Sequence, residues 1–342
     1  MPGVTALEKT LIGVEAAAGS TTDVPTTHWR GIGKIKDRQE IVFPNERVGR
    51  VGGTNRSYIA RTGSEVPLDS EAISFEQLPY ILNAGLYTAT PTTDTGSGYI
   101  WQWSVQSAST DAYATTDLST LVVENGDNNE VETARYCFVR EFTLSGKQGE
   151  ALALASVLEG RAPSTATGFT AVGSTDLDNV CETILFSKVS LYIDPSTDTA
   201  GTTQKSETIL DMSLKHKTGW VALPAKDTRL DFSSIKHVDD EIMLDITFEH
   251  NSVATAEKAA WRAQTERVVR LQFAGNTLTS AGTYTTKILR IDLYGKWRTF
   301  GAEGLEEQDG DNVYRGTFRC AYSASAANKA VYTIVNELQT LP

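Results

Sequence analysis

Two stretches of this chain, half its length apart, run through the same order of residue types. Residues 126–138 read GDNNEVETARYCF, and residues 310–322 read GDNVYRGTFRCAY. Each has a Gly-Asp-Asn turn and then a strand-forming run with an arginine beside an aromatic and a cysteine: Arg135, Tyr136, Cys137 in one, Phe318, Arg319, Cys320 in the other. The turns lie 184 residues apart and the cysteines 183. One period of about half the chain predicts two similar domains in tandem. Other landmarks keep the same order. Ala18-Gly19-Ser20-Thr21 answers Thr199-Ala200-Gly201-Thr202, a helix starting near Ser74 answers one starting near Thr255, and the apolar run after Lys147 answers the one after Lys329.

A length of 342 residues suits two domains of about half that size. We place the first at 1–170 and the second at 181–342, with a Thr/Ser/Gly/Ala-rich linker at about 162–180. The composition, 40% hydrophobic and 22% charged, is that of a folded globular chain. No apolar stretch approaches the roughly 20 residues of a membrane-spanning helix. The N-terminus carries acids and lacks a basic start before an apolar run, so synthesis and first folding in a cytoplasm are expected.

Strand signals dominate. Strands are expected around 35–43, 99–105, 118–124, 131–144, 150–161, 183–194, 207–217, 241–250, 268–274, 287–300, 313–323 and 330–337. Ser74-Phe75-Glu76-Gln77 is a capping box, followed by Leu78, Ile81, Leu82 and Leu86 at helical spacing. A second helix is expected over 255–267. The fold class is therefore mainly β (α+β), each half many strands with one flanking helix.

Charge is distributed unevenly. The net charge is −12, which opposes a nonspecific grip on nucleic acid. Yet residues 30–61 hold Arg30, Lys34, Lys36, Arg38, Arg47, Arg50, Arg56 and Arg61 against only Asp37, Glu40 and Glu46. From Thr62 to Ala134 there is no Lys or Arg but there are eleven acids. The Gly-rich basic stretch 30–66 reads as one strand and a long projecting loop. It could be a solvated loop, an arm for self-association or a nucleic-acid site.

No catalytic constellation is present. His28, His216, His237 and His250 are dispersed, and none has zinc-ligand spacing. Three cysteines without a close pair predict buried thiols, not a disulfide framework or a metal site. The glycines at 31, 33, 49, 52 and 53 lack the strand and helix that a dinucleotide fingerprint needs. The acids Glu303, Glu306, Glu307, Asp309 and Asp311 could hold a hard cation but lack EF-hand spacing, and solvated loop charge is the simpler reading. Tyr99, Trp101 and Trp103 alternate on one strand face and could stack on a sugar, though core or interface is the commoner use. No cofactor is expected.

The sequence resembles the tail tube proteins of long, non-contractile phage tails, in their longer two-domain version. The resemblance is carried by Leu11-Ile12-Gly13-Val14-Glu15 with its Ala/Gly/Thr arm, and by Glu141-Phe142-Thr143-Leu144-Ser145-Gly146 with a second strand ending Glu159-Gly160-Arg161. Gly310-Asp311-Asn312, Thr317-Phe318 and the strand at 331–336 also match. These are diffuse patterns covering nearly the whole chain, and the basic stretch 44–61 is bulkier than in the simplest members. The resemblance implies a structural virion protein, not an enzyme: tube domains of β-sandwich or barrel type, each with a flanking helix, forming stacked rings around a hollow lumen. Single-domain members use six subunits per ring, so a tandem chain implies three with pseudo-six-fold symmetry. The implied partners are other copies of itself, the tape measure protein, tail terminator and tip proteins, and DNA passing without specific binding; no membrane is implied. On this reading the eight basic residues from Arg30 to Arg61 make contacts between rings, and the free subunit stays monomeric until docking. The alternative is a β-sandwich module, such as a carbohydrate-binding adhesin or a virion decoration protein, using Tyr99, Trp101 and Trp103.

Overall fold

The computed structural model describes residues 5–49, 51, 55–105, 118–173, 176–177, 180–224, 229–308 and 310–342. It is mainly β, with antiparallel sheets that do not close on themselves and two α-helices. The first half runs β1 (Lys9–Val14), β2 (Thr27–His28), β3 (Ile32–Gly33), β4 (Lys36–Val42), β5 (Tyr58–Ser70), α1 (Leu78–Gly85), β6 (Thr92–Thr93), β7 (Tyr99–Val105), β8 (Leu121–Gly126), β9 (Val131–Lys147), β10 (Ala153–Gly160) and β11 (Ser164–Ala166). The second runs β12 (Val189–Pro195), β13 (Gln204–Lys205), β14 (Ile209–Lys217), β15 (Trp220–Leu223), β16 (Ser234–His237), β17 (Glu241–Glu249), α2 (Ser252–Arg262), β18 (Arg267–Thr277), β19 (Thr286–Phe300), β20 (Glu306–Gln308), β21 (Asp311–Cys320) and β22 (Ala330–Asn336).

The same strand order occurs twice. In the first half the hydrogen-bonded neighbours run β2-β1-β8-β9-β10-β5-β4, and in the second β13-β12-β18-β19-β21-β17-β14. Each helix follows the matching strand, α1 after β5 and α2 after β17. The matching first loops are built alike. Glu15 at the end of β1 accepts a hydrogen bond from the Gly19 N–H (2.7 Å), and Asp194 near the end of β12 accepts one from the Gly201 N–H (3.1 Å). Both glycines sit at positive φ, 73° and 86°, and a Cβ on either would strike a guanidinium, Arg161 or Arg270.

The order corrects the alignment drawn from the sequence motifs. The turn at 126–128 lies between β8 and β9, whereas that at 310–312 lies between β20 and β21, and β21 is the counterpart of β10, not of β9. Likewise the run after Lys147 is β10, but the run after Lys329 is β22, whose counterpart is β11. The cause is an insertion. Residues 86–120, with β6 and β7, separate α1 from β8, while only 263–266 separate α2 from β18. A constant offset therefore holds before the helices and slips by a strand after them.

The halves share a sheet and a core. β14 pairs with β9 from Asp211–Lys147 to Lys217–Glu141, and the inserted β7 pairs with β22 along its whole length. One cluster of buried residues runs from Ile12 through Phe142 and Leu214 to Ile334. Lys287 on β19 reaches across to Glu76 beside α1 (2.6 Å) and to Glu182 (3.5 Å). The segment 162–180, read from its composition as a linker, supplies β11 to the edge of β9 and buries Leu177; Asp176 holds His28 and Thr27. Its Leu and Asp are anchors that a count of small polar residues does not register.

Candidate self-assembly surface

The seam between the halves shows how this fold joins one unit to the next. β9 is long and bends. β8 occupies one edge of its N-terminal part, and β14 takes the continuation of that edge. At the bend Arg140 is an extra residue, lying between Glu141, opposite Val157, and Val139, opposite Leu158. Such a bulge re-aims a strand and frees a carbonyl. The Arg140 carbonyl accepts from both the N–H (2.9 Å) and the hydroxyl (3.0 Å) of Thr218, just beyond β14. Across the seam Lys215 pairs with Glu141 (3.1 Å). Lys217 pairs with Glu241 (2.9 Å), which holds the ammonium pKa up and the carboxyl pKa down.

Beneath the seam the packing is aromatic. His216 stacks on Tyr332, Phe142 lies tilted against His216 and edge-on to Tyr332, and the His216 Nδ1 lies 3.0 Å from the Tyr332 hydroxyl. Burial pushes the His216 pKa down and the Tyr332 pKa up. Asp240 and Lys329 form a buried pair at 3.0 Å; burial alone would raise the Asp240 carboxyl, but the nearby His216 ring, 3.7 Å away, and the Lys329 charge hold it below its usual range.

The second half repeats the bend. In β19 the extra residue is Arg298, between Trp297, opposite Phe318, and Thr299, opposite Thr317. Here β18 leaves at Gly295. No strand takes its place along residues 299–308 among the described residues. Among the described residues the Arg298 carbonyl accepts the Trp261 indole N–H (3.1 Å) and no strand N–H. β19 then breaks: after Gly301, at positive φ and with its N–H still donating to the Arg315 carbonyl (2.8 Å), residues 302–305 leave the ladder before β20 resumes against β21. At the other end of the sheet β4, the counterpart of β14, pairs among the described residues only with β5 and is exposed on both faces. The described residues thus form one filled seam and the two unmatched edges of another.

Three of the eight sequence-derived basic residues fall on this second edge. Lys34, Lys36 and Arg38 lie along β3–β4, and Lys36 (3.1 Å) and Arg38 both reach Glu65. Arg47 is exposed in the loop at the hairpin tip, where Arg56 pairs with Glu46 (2.9 Å). Arg61 and Arg38 line an open polar cleft of about 670 Å³ between the β4–β5 and β15–β16 hairpins, with Asp37, Glu40, Arg140 and Glu159. Arg30 lies apart, its backbone tied to Gln77 and Ser70. Arg50 lies outside the described residues.

Sequence reasoning missed the apolar side chains on the same hairpin. Ile41, Phe43, Val48, Val51, Tyr58 and Ile59 are exposed, Phe43 to 70%. The signal was an apolar run with no polar alternation, Ile41-Val42-Phe43, beside a loop.

The other candidates resolve into structure. Trp101 and Trp103 are 2% and 0% exposed, so the aromatic stripe offers no face to a sugar. Their indole N–H groups are bound by Asn336 and Asn83. Cys137 and Cys320 are buried free thiols whose pKa values burial raises. Glu306 pairs with Arg315 (3.2 Å), Glu303 and Glu307 are exposed, and Asp309 is outside the described residues. No cluster of three metal-ligating side chains occurs among the described residues. No helix there is long and apolar enough to cross a membrane. A scan against protein-family models finds no match for this chain, and a search of curated proteins finds no significant relative.

Proposed function

We propose that this chain is a structural subunit that polymerises as stacked rings into a hollow tube, the tail tube of a long, non-contractile phage tail. The observation that carries the reading is the internal duplication joined edge to edge. One half already completes the sheet of the other through β9 and β14, and the molecule ends in the unmatched halves of the same seam. Open strand edges recruit further chains unless blocked. A head-to-tail interface of this kind closes into a ring when its rotation permits. The sequence resemblance to tail tube proteins supplies the ring and the lumen, and two units per chain supply the count of three chains per ring.

The chemistry agrees with a structural role. Buried charges are paired with one another inside the fold in several places, as with Lys287 and Glu76 or Lys329 and Asp240. The net charge of −12 suits a conduit through which DNA slides without sticking. On this reading the partners are other copies, the tape measure, the terminator and tip proteins, and the protein resides in the virion. No observation favours the carbohydrate-binding alternative once Trp101 and Trp103 are buried. Negative-stain imaging of concentrated purified protein tests the proposal: tubes with a stain-filled lumen are expected, and particles that stay single at every concentration refute it.

A further inference from the structure

We infer that the seam between successive copies is an antiparallel pairing of β3–β4 of one chain with the β19–β20 edge of the next, in the register of the internal β14–β9 seam. This rests on the self-assembly reading above and names the partner surface and the contacting residues.

The register follows from walking across each sheet from its bulge. From Arg140 the path crosses Val157 and Leu158 on β10, then Pro67 and Val66 on β5, and reaches Lys34, whose N–H donates to the Pro67 carbonyl. From Arg298 it crosses Thr317 and Phe318 on β21, then Asp245 and Leu244 on β17, and reaches Ser213 and Leu214 on β14. Lys34 therefore corresponds to Ser213, Lys36 to Lys215 and Arg38 to Lys217. The two cations that border the internal seam have counterparts of the same charge and spacing on the open edge. In the internal seam Lys217 faces Glu141, the residue after the bulge, and Lys215 faces Thr143. Carried over, Arg38 faces Thr299 and Lys36 faces Gly301.

Charge complementarity selects a second copy as the occupant. Beyond Gly301 the receiving edge carries Glu303, Glu306 and Glu307, while the incoming edge carries Lys34, Lys36 and Arg38. Lys34, Glu303 and Glu307 are all exposed. The Arg298 carbonyl, the counterpart of the one that binds Thr218, is in place to accept from the residue after Arg38, the Gln39 N–H. Opposite charge across adjacent strands steers register as well as encounter.

The test uses the full chain in a Cys181→Ser background, at concentrations where the wild type assembles. Arg38→Cys combined with Thr299→Cys is expected to give a ladder of disulfide-linked multimers on mild oxidation, and neither single variant should. Separately, Lys34→Glu with Arg38→Glu, and Glu303→Lys with Glu307→Lys, should each raise the critical concentration about tenfold or more. All four changes in one chain should restore it, with circular dichroism unchanged throughout. Tubes that form without the cross-link, or charge variants that assemble normally, overturn the seam while leaving the tube reading intact. A wild-type chain that stays monomeric at every concentration overturns both.

Discussion

At the scale of single residues, the molecule holds several charges that are silent in the sequence because their partners are distant in the chain. Glu76 is almost fully buried, and burial raises its pKa; what keeps it compatible with the core is Lys287, 211 residues away, at 2.6 Å. Replacing Lys287 with Met leaves that carboxyl without its counter-charge. The expected loss is about 3 kcal/mol of unfolding free energy, read from urea midpoints. His216 and His237 act in the opposite pH sense. Burial lowers both from 6.5, so the unfolded chain binds protons more readily than the folded one. Their contribution is fully present above about pH 6.5 and is lost as pH falls below it. Stability should therefore decline from pH 6.5 toward 5, with a shallower slope in His216→Gln. A slope unchanged in that variant would show that His216 does not govern the decline. Glu15 and Glu76, raised by burial, favour the folded state on protonation and oppose this decline in the carboxylate range. The sequence placed His216 and His250 in strand runs and gave neither a ligand role. It could not tell that one would pack against both Phe142 and Tyr332, because that contact exists only once three strands from two halves meet.

At the scale of elements, legibility followed periodicity. β7 spans the expected 99–105, and its alternating face is the buried one. The capping box implied that Ser74 caps the first helix; its hydroxyl does accept from the Gln77 N–H (3.1 Å), but this closes a turn ahead of the helix, which begins at Leu78 with Gln77 at its N-cap, and the Gln77 side chain turns away to the His28 carbonyl. The second helix starts earlier than expected, at Ser252, because Asn251 caps it by accepting from Val253 (2.9 Å) and Ala254 (3.2 Å). Asn251→Ala should cost about 1 kcal/mol, measured by thermal or urea unfolding; an unchanged midpoint would show the cap to be dispensable. Strands of two or three residues, such as β2, β3, β6 and β13, were invisible: their ladders are set by neighbours and leave no alternation to read. The duplication was legible and its alignment was not. Gly-Asp-Asn marks any tight turn, so two such turns at 126 and 310 matched although they close different strand pairs. The paired bulges at Arg140 and Arg298 are the sounder markers, and only the hydrogen-bond register displays them.

At the scale of the whole molecule, the merged core argues against independent unfolding of the halves. A single calorimetric transition is expected, with calorimetric and van't Hoff enthalpies in agreement; two separable transitions would mean that the seams contribute little. Mass per unit length of assembled tubes should correspond to three chains per ring, and a value for six would refute that count. In the proposed tube, the hairpin loop with Arg47, Arg56 and exposed Phe43 is the part expected to bridge one ring to the next. Charge reversal at Arg47, Arg50 and Arg56 should leave the subunit folded yet give short or no tubes; normal tubes would remove those residues from the stacking contact. The electrostatic contrast between residues 30–61 and 62–134 was plain from the sequence. The edge that it decorates was not, since an unpaired strand and a paired one have the same composition.

Covalent connection gives the β9–β14 joint a further meaning. If the proposed ring forms, a ribosome that finishes one chain has already made every second joint of it, at no cost in collisions and independent of dilution. Three joints then remain to be made between chains where single-unit chains would need six. Closure should consequently respond to subunit supply with a lower reaction order, so that tandem chains finish rings at abundances where separate halves would still be searching for one another.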